Sequence, residues 1–397
     1  MKILFLAHRI PYPPNKGDKI RSFNELKYLS EKNTIYLGTI LEEKSERQYI
    51  PFLEPYCKEI YTVCFNKKIN LIKRFLTENP FTVSNFYDNS LQSYVDKIIA
   101  EKDIDFIICF SSSMAEYVFR NPLFKAGKLS KIKLIIDYID LDSDKWLQYS
   151  KYTKFPLRQI YLEEKKRLFA YEIKINQAFD YSIFVSERET KIFKKLYPKA
   201  RNIIVIPNGI DFEYFTPPKK KLPNRQPSLV FTGVMDYFAN IDGVKWFCKN
   251  ILPKIKVQIP DIRFYIVGMK PTKAVRKLSK LEGVIVTGFI DDIRQYYWMA
   301  DVCVIPLRIA RGLQNKLLEA MATGNAVVAT SNAKNGIVCR ENLDLLIADD
   351  EEGFCQCVIS ILQDAEKKGK LGMNAEINIR KNYSWQHNLS KFDSLLS

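Results

Sequence analysis

Short, continuous apolar runs alternate with longer amphipathic stretches from one end of the chain to the other. The runs cover 3–7 (ILFLA), 34–40, 104–110, 133–139, 181–185, 202–206, 228–233, 262–268, 283–288, 301–306 and 326–330. They are uninterrupted rather than alternating, the pattern of strands covered by helices on both faces. Between them the spacing predicts helices over 18–31, 157–178, 187–196, 241–257, 291–300 and 312–323. That order predicts an α/β fold with doubly wound parallel sheets. One stretch breaks the pattern. TPPKKKLPNRQP (216–227) crowds four prolines and a lysine triplet into a segment that continues neither a helix nor a central strand. It predicts a linker between a first domain over 1–215 and a second over 228–375. Two consecutive halves of this kind imply two facing Rossmann-like domains with a ligand cleft at the open ends of their sheets.

Length agrees with this division, since 397 residues exceed one ordinary core. The net charge of +16 is met by a lysine-rich solvated surface, or by an anionic membrane, substrate or nucleic acid. Eight cysteines form no C-x-x-C pair, and the two histidines, His8 and His387, complete no metal-ligand spacing, so buried reduced thiols are expected. No apolar run is long enough for a membrane span, and MKILFLAHRIPYPP reads as a buried strand and a proline-rich turn rather than a signal peptide. The expected location is cytoplasmic.

The clearest chemical signal is PLRIARGLQNKLLEAMATGNAVVAT (306–330). A strand ends, a loop carries Arg311 and Gly312, and a helix opens at Gln314 and Asn315. That helix runs to Gly324, a natural C-terminal stop. Backbone amides at such a helix start hold anions, and Arg311 and Lys316 add positive charge. Glu319, three residues after Lys316, shares its face and is placed to accept hydrogen bonds from ribose hydroxyls. An ordinary surface Lys–Glu pair is the plainer alternative.

This stretch resembles the donor-binding segment of family 4 (group 1) retaining glycosyltransferases. IPNGIDFEYFTP (206–217) is similar to the segment that closes their first domain, and VSERETKIF (185–193) to the strand and helix before it. More narrowly, HRIPYPPNKGDKIRSF (8–23), IDYIDLDSDKWLQY (136–149), FTGVMDYFANIDGVKWF (231–247), RFYIVGMKPT (263–272) and LRIARGLQNKLLEAMA (307–322) resemble the sugar transferases associated with the PEP-CTERM/exosortase system. The likeness extends to YSWQHNLSKFDSLL (383–396) and implies that a final helix, 376–397, crosses back to the first domain. It implies the GT-B fold, an acceptor-side first domain and a nucleotide-sugar donor domain after it. It also implies retention of anomeric configuration, no cofactor, no required metal, and a donor phosphate oxygen that helps deprotonate the acceptor hydroxyl.

Position by position, the likeness makes Glu319 the ribose-binding glutamate. It aligns Gly17 and Asp18 with the glycine loop that approaches the diphosphate, where Lys19 and Arg21 supply charge or, alternatively, face solvent. Phe289 and Ile290 fall where the backbone meets the nucleobase, and Gly233 ends the strand beside the donor. There are departures. The second glutamate expected eight positions before Glu319 is Arg311, and the usual arginine and lysine after SLVFTG are replaced by Val234 and Ala239, beside Asn240. The basic charge is thus expected at Arg311 and Lys316, both assigned to catalysis. A His-Asp pair after the fourth or fifth strand is missing. Asp137, Asp140, Asp142 and Asp144 crowd that loop, and Asp140 is the candidate polar group near the acceptor, with a helix cap as its alternative. His8 is open between cleft-facing and structural roles, and Tyr161, Phe169 and Tyr171 are expected to pack.

The reading is a glycosyltransferase that moves a sugar from a nucleotide-sugar to a glycan or polyprenyl-linked acceptor in surface-glycan synthesis. A non-catalytic nucleotide- or glycan-binding relative is the alternative, and nucleic acid, resting on charge alone, is not expected as a partner. The charge and the acceptor together suggest peripheral residence on the anionic inner leaflet. KKINLIKRF (67–75) is a candidate contact, unless its apolar residues face the core.

Overall fold

The computed structural model describes residues 1–65, 79–151, 153–216, 226–310 and 313–396. The segment 67–75 and the residues Arg311 and Gly312 lie outside the described residues, as does most of the expected linker. The chain divides into one unit of Met1–Pro207 with Leu389–Ser397 and a second of Asn208–Asn388.

The first unit is built on β1 (Lys2–Ala7), α1 (Gly17–Ser30), β2 (Thr34–Leu41), β3 (Glu59–Cys64), α2 (Asn89–Glu101), β4 (Phe106–Phe110), β5 (Lys133–Asp137), α3 (Asp142–Lys151), α4 (Leu157–Ala178), β6 (Tyr181–Phe184), α5 (Glu187–Leu196) and β7 (Ile203–Val205). Its sheet runs β3-β2-β1-β4-β5-β6-β7, all neighbours parallel. Ile3 through Ala7 are wholly buried whichever face they point to, as a doubly covered strand requires. Strand order reverses between β1 and β4, which puts the ligand-prone crevice at their C-terminal ends.

The second unit contains β8 (Ser228–Thr232), α6 (Phe238–Trp246), β9 (Arg263–Val267), β10 (Val284–Gly288), α7 (Arg294–Met299), β11 (Val302–Ile305), α8 (Asn315–Ala322), β12 (Ala326–Ala329), β13 (Leu346–Ile347), α9 (Glu351–Leu362) and α10 (Ala365–Asn382). Its parallel sheet runs β10-β9-β8-β11-β12-β13, so order reverses between β8 and β11. The expected helix 241–257 is interrupted. Phe247–Ile251 widens into a π turn just before Pro253, which lacks the amide that a continuous α-helix needs.

Two boundaries differ from the sequence reading. Residues 208–215, expected in the first domain, sit in the second unit. Ile210 donates its amide to the Tyr383 carbonyl at 2.8 Å, Gly209 is so close to Trp385 that an added Cβ would meet its backbone nitrogen at 2.4 Å, and Arg294 lies over the Tyr214 ring. The expected single helix 376–397 is three pieces: the end of α10, then Trp385–Leu389 (α11), then Lys391–Leu396 (α12). The last of these packs within the first unit. Phe392 is fully buried, Tyr28 donates to Asp393 at 3.0 Å, and Lys391 donates to the Val205 carbonyl at 2.7 Å.

Candidate active site

In the second unit the reversal point lies where Gly233 follows β8 and α8 follows β11. Gly233 admits no side chain: a Cβ there would stand 2.8 Å from Asn240 Nδ2 and 2.9 Å from Lys316 Nζ. Asn240, near the start of α6, donates Nδ2 to the Val234 carbonyl at 2.8 Å and accepts Lys316 Nζ on Oδ1 at 2.5 Å. Lys316 Nζ also rests 4.4 Å from the centroid of the Phe231 ring. Among the described residues its ion has no directly bonded carboxylate and leans on an amide and an aromatic face. Burial lowers its pKa to about 7, with Glu319 opposing the shift.

Glu319 lies one turn along α8 and accepts a hydrogen bond on Oε2 from Tyr297 Oη at 2.8 Å. Tyr297, fully buried on α7, is also 2.6 Å from Thr232 Oγ1. Burial raises the Glu319 carboxyl above its ordinary value, and the Tyr297 bond and the charge of Lys316 work against that rise. The structure therefore brings Gly233, Asn240, Lys316 and Glu319 together. Gln314 is the N-cap residue of α8, and Asn315 accepts Asn208 Nδ2 at 3.0 Å. Phe289, 64% exposed, and half-buried Ile290 follow β10 on the sheet edge. Tyr297 and Thr232 were missed from sequence, since a tyrosine in QYYWMA carries no sign of the carboxylate it serves.

The first unit treats its charges differently. Asp18, in the first turn of α1, accepts Arg9 Nη1 at 2.6 Å and lies 3.3 Å from His8 Nε2. Burial alone would raise its carboxyl, but the His8 bond and the Arg9 charge hold it far below the usual range. Arg9 and Lys16 also converge on Glu42, at 2.9 and 2.8 Å. Lys19 and Arg21 neither face solvent nor supply free charge to a donor, a correction to both readings from sequence. Lys19 is buried against Glu46 at 2.7 Å. Arg21 is wholly buried, donating to Asp137 at 3.0 and 2.5 Å and to the Ile206 carbonyl at 2.8 Å, with Glu25 2.9 Å from its Nε. Their partners lie so far off in sequence that spacing along α1 gives no hint of them.

The aspartate-rich loop is mostly committed as well. Asp137 Oδ1 accepts the Ile139 amide at 2.8 Å, Asp142 accepts Ser112 Oγ at 3.3 Å, and Asp144 accepts Gln148 at 3.2 Å. Half-buried Asp140 follows Ile139, whose φ of +64° is a strained value for a β-branched residue. Ser111, at the end of β4, holds a φ of +82°. Strain thus gathers at neighbouring strand ends beside the reversal point, a pattern found at functional sites. The eight cysteines are free, and among the described residues no group of three or more His, Cys, Asp or Glu side chains is arranged to hold a metal. Among those residues no helix is long and apolar enough to cross a membrane.

Residues 226–364 match the family described as glycosyl transferases group 1. Along its length the chain is 23% identical to an uncharacterized 44.6 kDa protein in the cps region of Klebsiella pneumoniae, over 96% of each chain. It is 30% identical to the Escherichia coli UDP-Gal:alpha-D-GlcNAc-diphosphoundecaprenol alpha-1,3-galactosyltransferase over 194 residues, 43% of this chain and 48% of that protein. The structure of Anabaena HepE in complex with UDP and glucose superimposes with a TM-score of 0.68 at 14% identity, covering 100% of this chain and 99% of that one. The two Rossmann-like domains are those of the GT-B fold, and residues 226–364, which match the glycosyl transferases group 1 description, hold the Lys316–Glu319 constellation.

Proposed function

We propose that this chain is a hexosyltransferase that moves a sugar, with retention of anomeric configuration, from a nucleoside-diphosphate sugar to a polyprenyl-linked or glycan acceptor in surface-polysaccharide synthesis. The observation that carries the reading is that Lys316, held by Asn240, and Glu319, held by Tyr297, lie one helical turn apart at the reversal point of the second sheet. A half-buried ammonium held by an amide is suited to a diphosphate, and a carboxylate one helical turn away is suited to a ribose diol. Departure of the nucleoside diphosphate builds negative charge, and Lys316 with the start of α8 is placed to meet it. Arg311 belongs to the same reading, as do Phe289 and Ile290 beside the base. The counter-charge from Lys316 is the basis for a reaction without cofactor or obligatory metal, in which a donor phosphate oxygen takes the acceptor proton.

On the first unit, Gly17 and Asp18 stand at the start of α1 and Asp140 beside the strained Ile139. We assign Asp140 to the acceptor hydroxyl, and the α1 start to the donor through its backbone, because the Asp18 carboxylate is engaged by His8 and Arg9. The E. coli relative's diphosphoundecaprenol substrate favours a polyprenyl carrier, and the cps-region relative favours a polysaccharide pathway. A link to an exosortase system rests on the motif likeness alone. Such a carrier would keep the enzyme at the cytoplasmic face of a membrane. The test is a panel of UDP-, GDP- and ADP-sugars with undecaprenyl-diphosphate acceptors, scored for lipid-linked product and its anomer. Transfer from one donor with retention supports the reading. Donor hydrolysis without product on any acceptor would favour the non-catalytic relative.

A further inference from the structure

Among the described residues, the turn between α3 and α4 carries the most exposed large apolar side chain of the first unit. Phe155 is 82% exposed, Leu157 50% and Ile160 43%. Leu157 and Ile160, three residues apart, share one side of α4 and continue the tip that Phe155 begins. Single exposed apolar residues are ordinary, but three large ones within six positions form a patch that calls for a partner.

The residues around the tip define that partner. Between Asp144 and Glu163 the sequence has no acidic residue, while Lys151, Lys154 and Arg158 are exposed around the apolar side chains and have no acidic partner among the described residues. Behind the tip stand half-buried Trp146, Tyr149 and Tyr161, with ring centroids 5.1 Å apart for Trp146–Tyr161, 6.1 Å for Trp146–Tyr149 and 6.4 Å for Tyr149–Tyr161. Trp146 is anchored by its indole N–H to Thr82 Oγ1 at 3.1 Å. Exposed apolar, exposed basic and half-buried Trp and Tyr side chains are thus gathered within residues 146–161.

That combination matches the chemistry of a bilayer surface. Apolar side chains reach the acyl boundary, Lys and Arg meet anionic headgroups, and Trp and Tyr rings settle at the interface with their polar ends wet. A nucleic acid would be served by the collar but not by a projecting Phe-Leu-Ile tip. We propose that the α3–α4 tip is a docking surface for an anionic lipid bilayer, with Phe155, Leu157 and Ile160 inserted and Lys151, Lys154 and Arg158 on the headgroups. The inference rests on the polyprenyl-acceptor reading only for its purpose, because the patch is defined without reference to any sugar.

The experiment is flotation of the full chain with vesicles of phosphatidylglycerol and phosphatidylethanolamine, against pure phosphatidylcholine. The wild-type chain floats with the anionic vesicles and stays at the bottom with the neutral ones. A Phe155→Asp, Leu157→Asp, Ile160→Asp variant, and separately a Lys151→Glu, Lys154→Glu, Arg158→Glu variant, lose at least roughly tenfold in bound fraction. All six positions are exposed, so the thermal midpoint and the affinity for a UDP-sugar without vesicles stay at wild-type values. Equal flotation with both vesicle types overturns the proposal, as does wild-type flotation of the apolar-tip variant or a salt-sensitive oligonucleotide complex that competes away the vesicles. A chain that floats but binds no nucleotide-sugar refutes the transferase reading and leaves the docking surface standing. A chain that transfers sugar to a water-soluble acceptor yet never floats does the reverse.

Discussion

The strand ends beside the reversal points of the two sheets hold comparable charges and use them in opposite ways. In the first unit, Arg21 is locked between Asp137 and Glu25, Lys19 meets Glu46, Arg9 meets Asp18, and Arg9 and Lys16 share Glu42. Burial, with the nearby Asp137 charge, raises the Glu25 carboxyl well above its ordinary value. In the second unit, Lys316 has an amide and a ring, and Glu319 a phenol. Charges that neutralise one another hold a fold together. Charges left on neutral partners are poised for a ligand that carries the opposite sign, because little has to be broken when it arrives.

The strongest way to break this comparison is to remove one charge from each side. Arg21→Met leaves Asp137 buried without its counter-ion, and the expected loss of stability is about 3–5 kcal/mol. Urea unfolding measures it, and adding Asp137→Asn should recover part of the loss. A change within about 0.5 kcal/mol, typical of an ordinary surface substitution, would show that the first-unit cluster is not structural. Lys316→Ala should leave the fold intact and weaken UDP-sugar binding by about 1.5–3 kcal/mol, the range for a hydrogen bond to a charged group. Calorimetric titration reads the second effect and a thermal melt the first. A variant that unfolds but binds normally where folded would put Lys316 in the first unit's class.

Glu319 sharpens the comparison on the opposite sign of charge. Glu319→Ala should cost about 1–2 kcal/mol of affinity if two ribose hydroxyls donate to it, and the cost should vanish for a 2′,3′-dideoxy nucleotide. Tyr297→Phe should cost less, about 0.5–1.5 kcal/mol, because it removes only the group that orients the carboxylate. Equal losses with the ribo- and dideoxy-nucleotides would take Glu319 away from the ribose.

The same contrast explains what could be read from sequence. The apolar runs that became β1, β4, β8, β11 and β12 are buried on both faces, so they announce themselves without knowledge of their neighbours. β3 was missed because EIYTVC mixes polar and apolar residues and looks like half-polar loop. Lys316 and Glu319 were legible because their relation is local, one helical turn. Arg21 and Asp137 lie 116 positions apart, and Lys19 and Glu46 lie 27 apart, so their neutralisation is a property of topology alone. Asn240 was assigned to the donor from sequence, but its grip on Lys316, spanning 76 positions, was not legible there.

A pH effect follows from the lowered Lys316 pKa, which sits near 7 against an ordinary value of 10.5. The folded state disfavours the charged form, so between about pH 7 and 10.5 the unfolded chain binds more protons at this site, and its contribution to stability rises with pH. Donor binding runs the other way. A diphosphate prefers the ammonium, which is mostly present at pH 6.5 and about one-tenth populated at pH 8 in the free protein. If the bound diphosphate restores the pKa to the usual lysine range, affinity should fall by about eightfold between those two values. A UDP-sugar is the right probe, because its diphosphate lacks the ionisation near pH 6 that free UDP carries. At pH 8, titrations in buffers of different ionisation enthalpy should show nearly one proton taken up per donor bound. Lys316→Ala should abolish both the slope and the uptake, and a flat profile in the wild-type chain would place the diphosphate away from this ammonium.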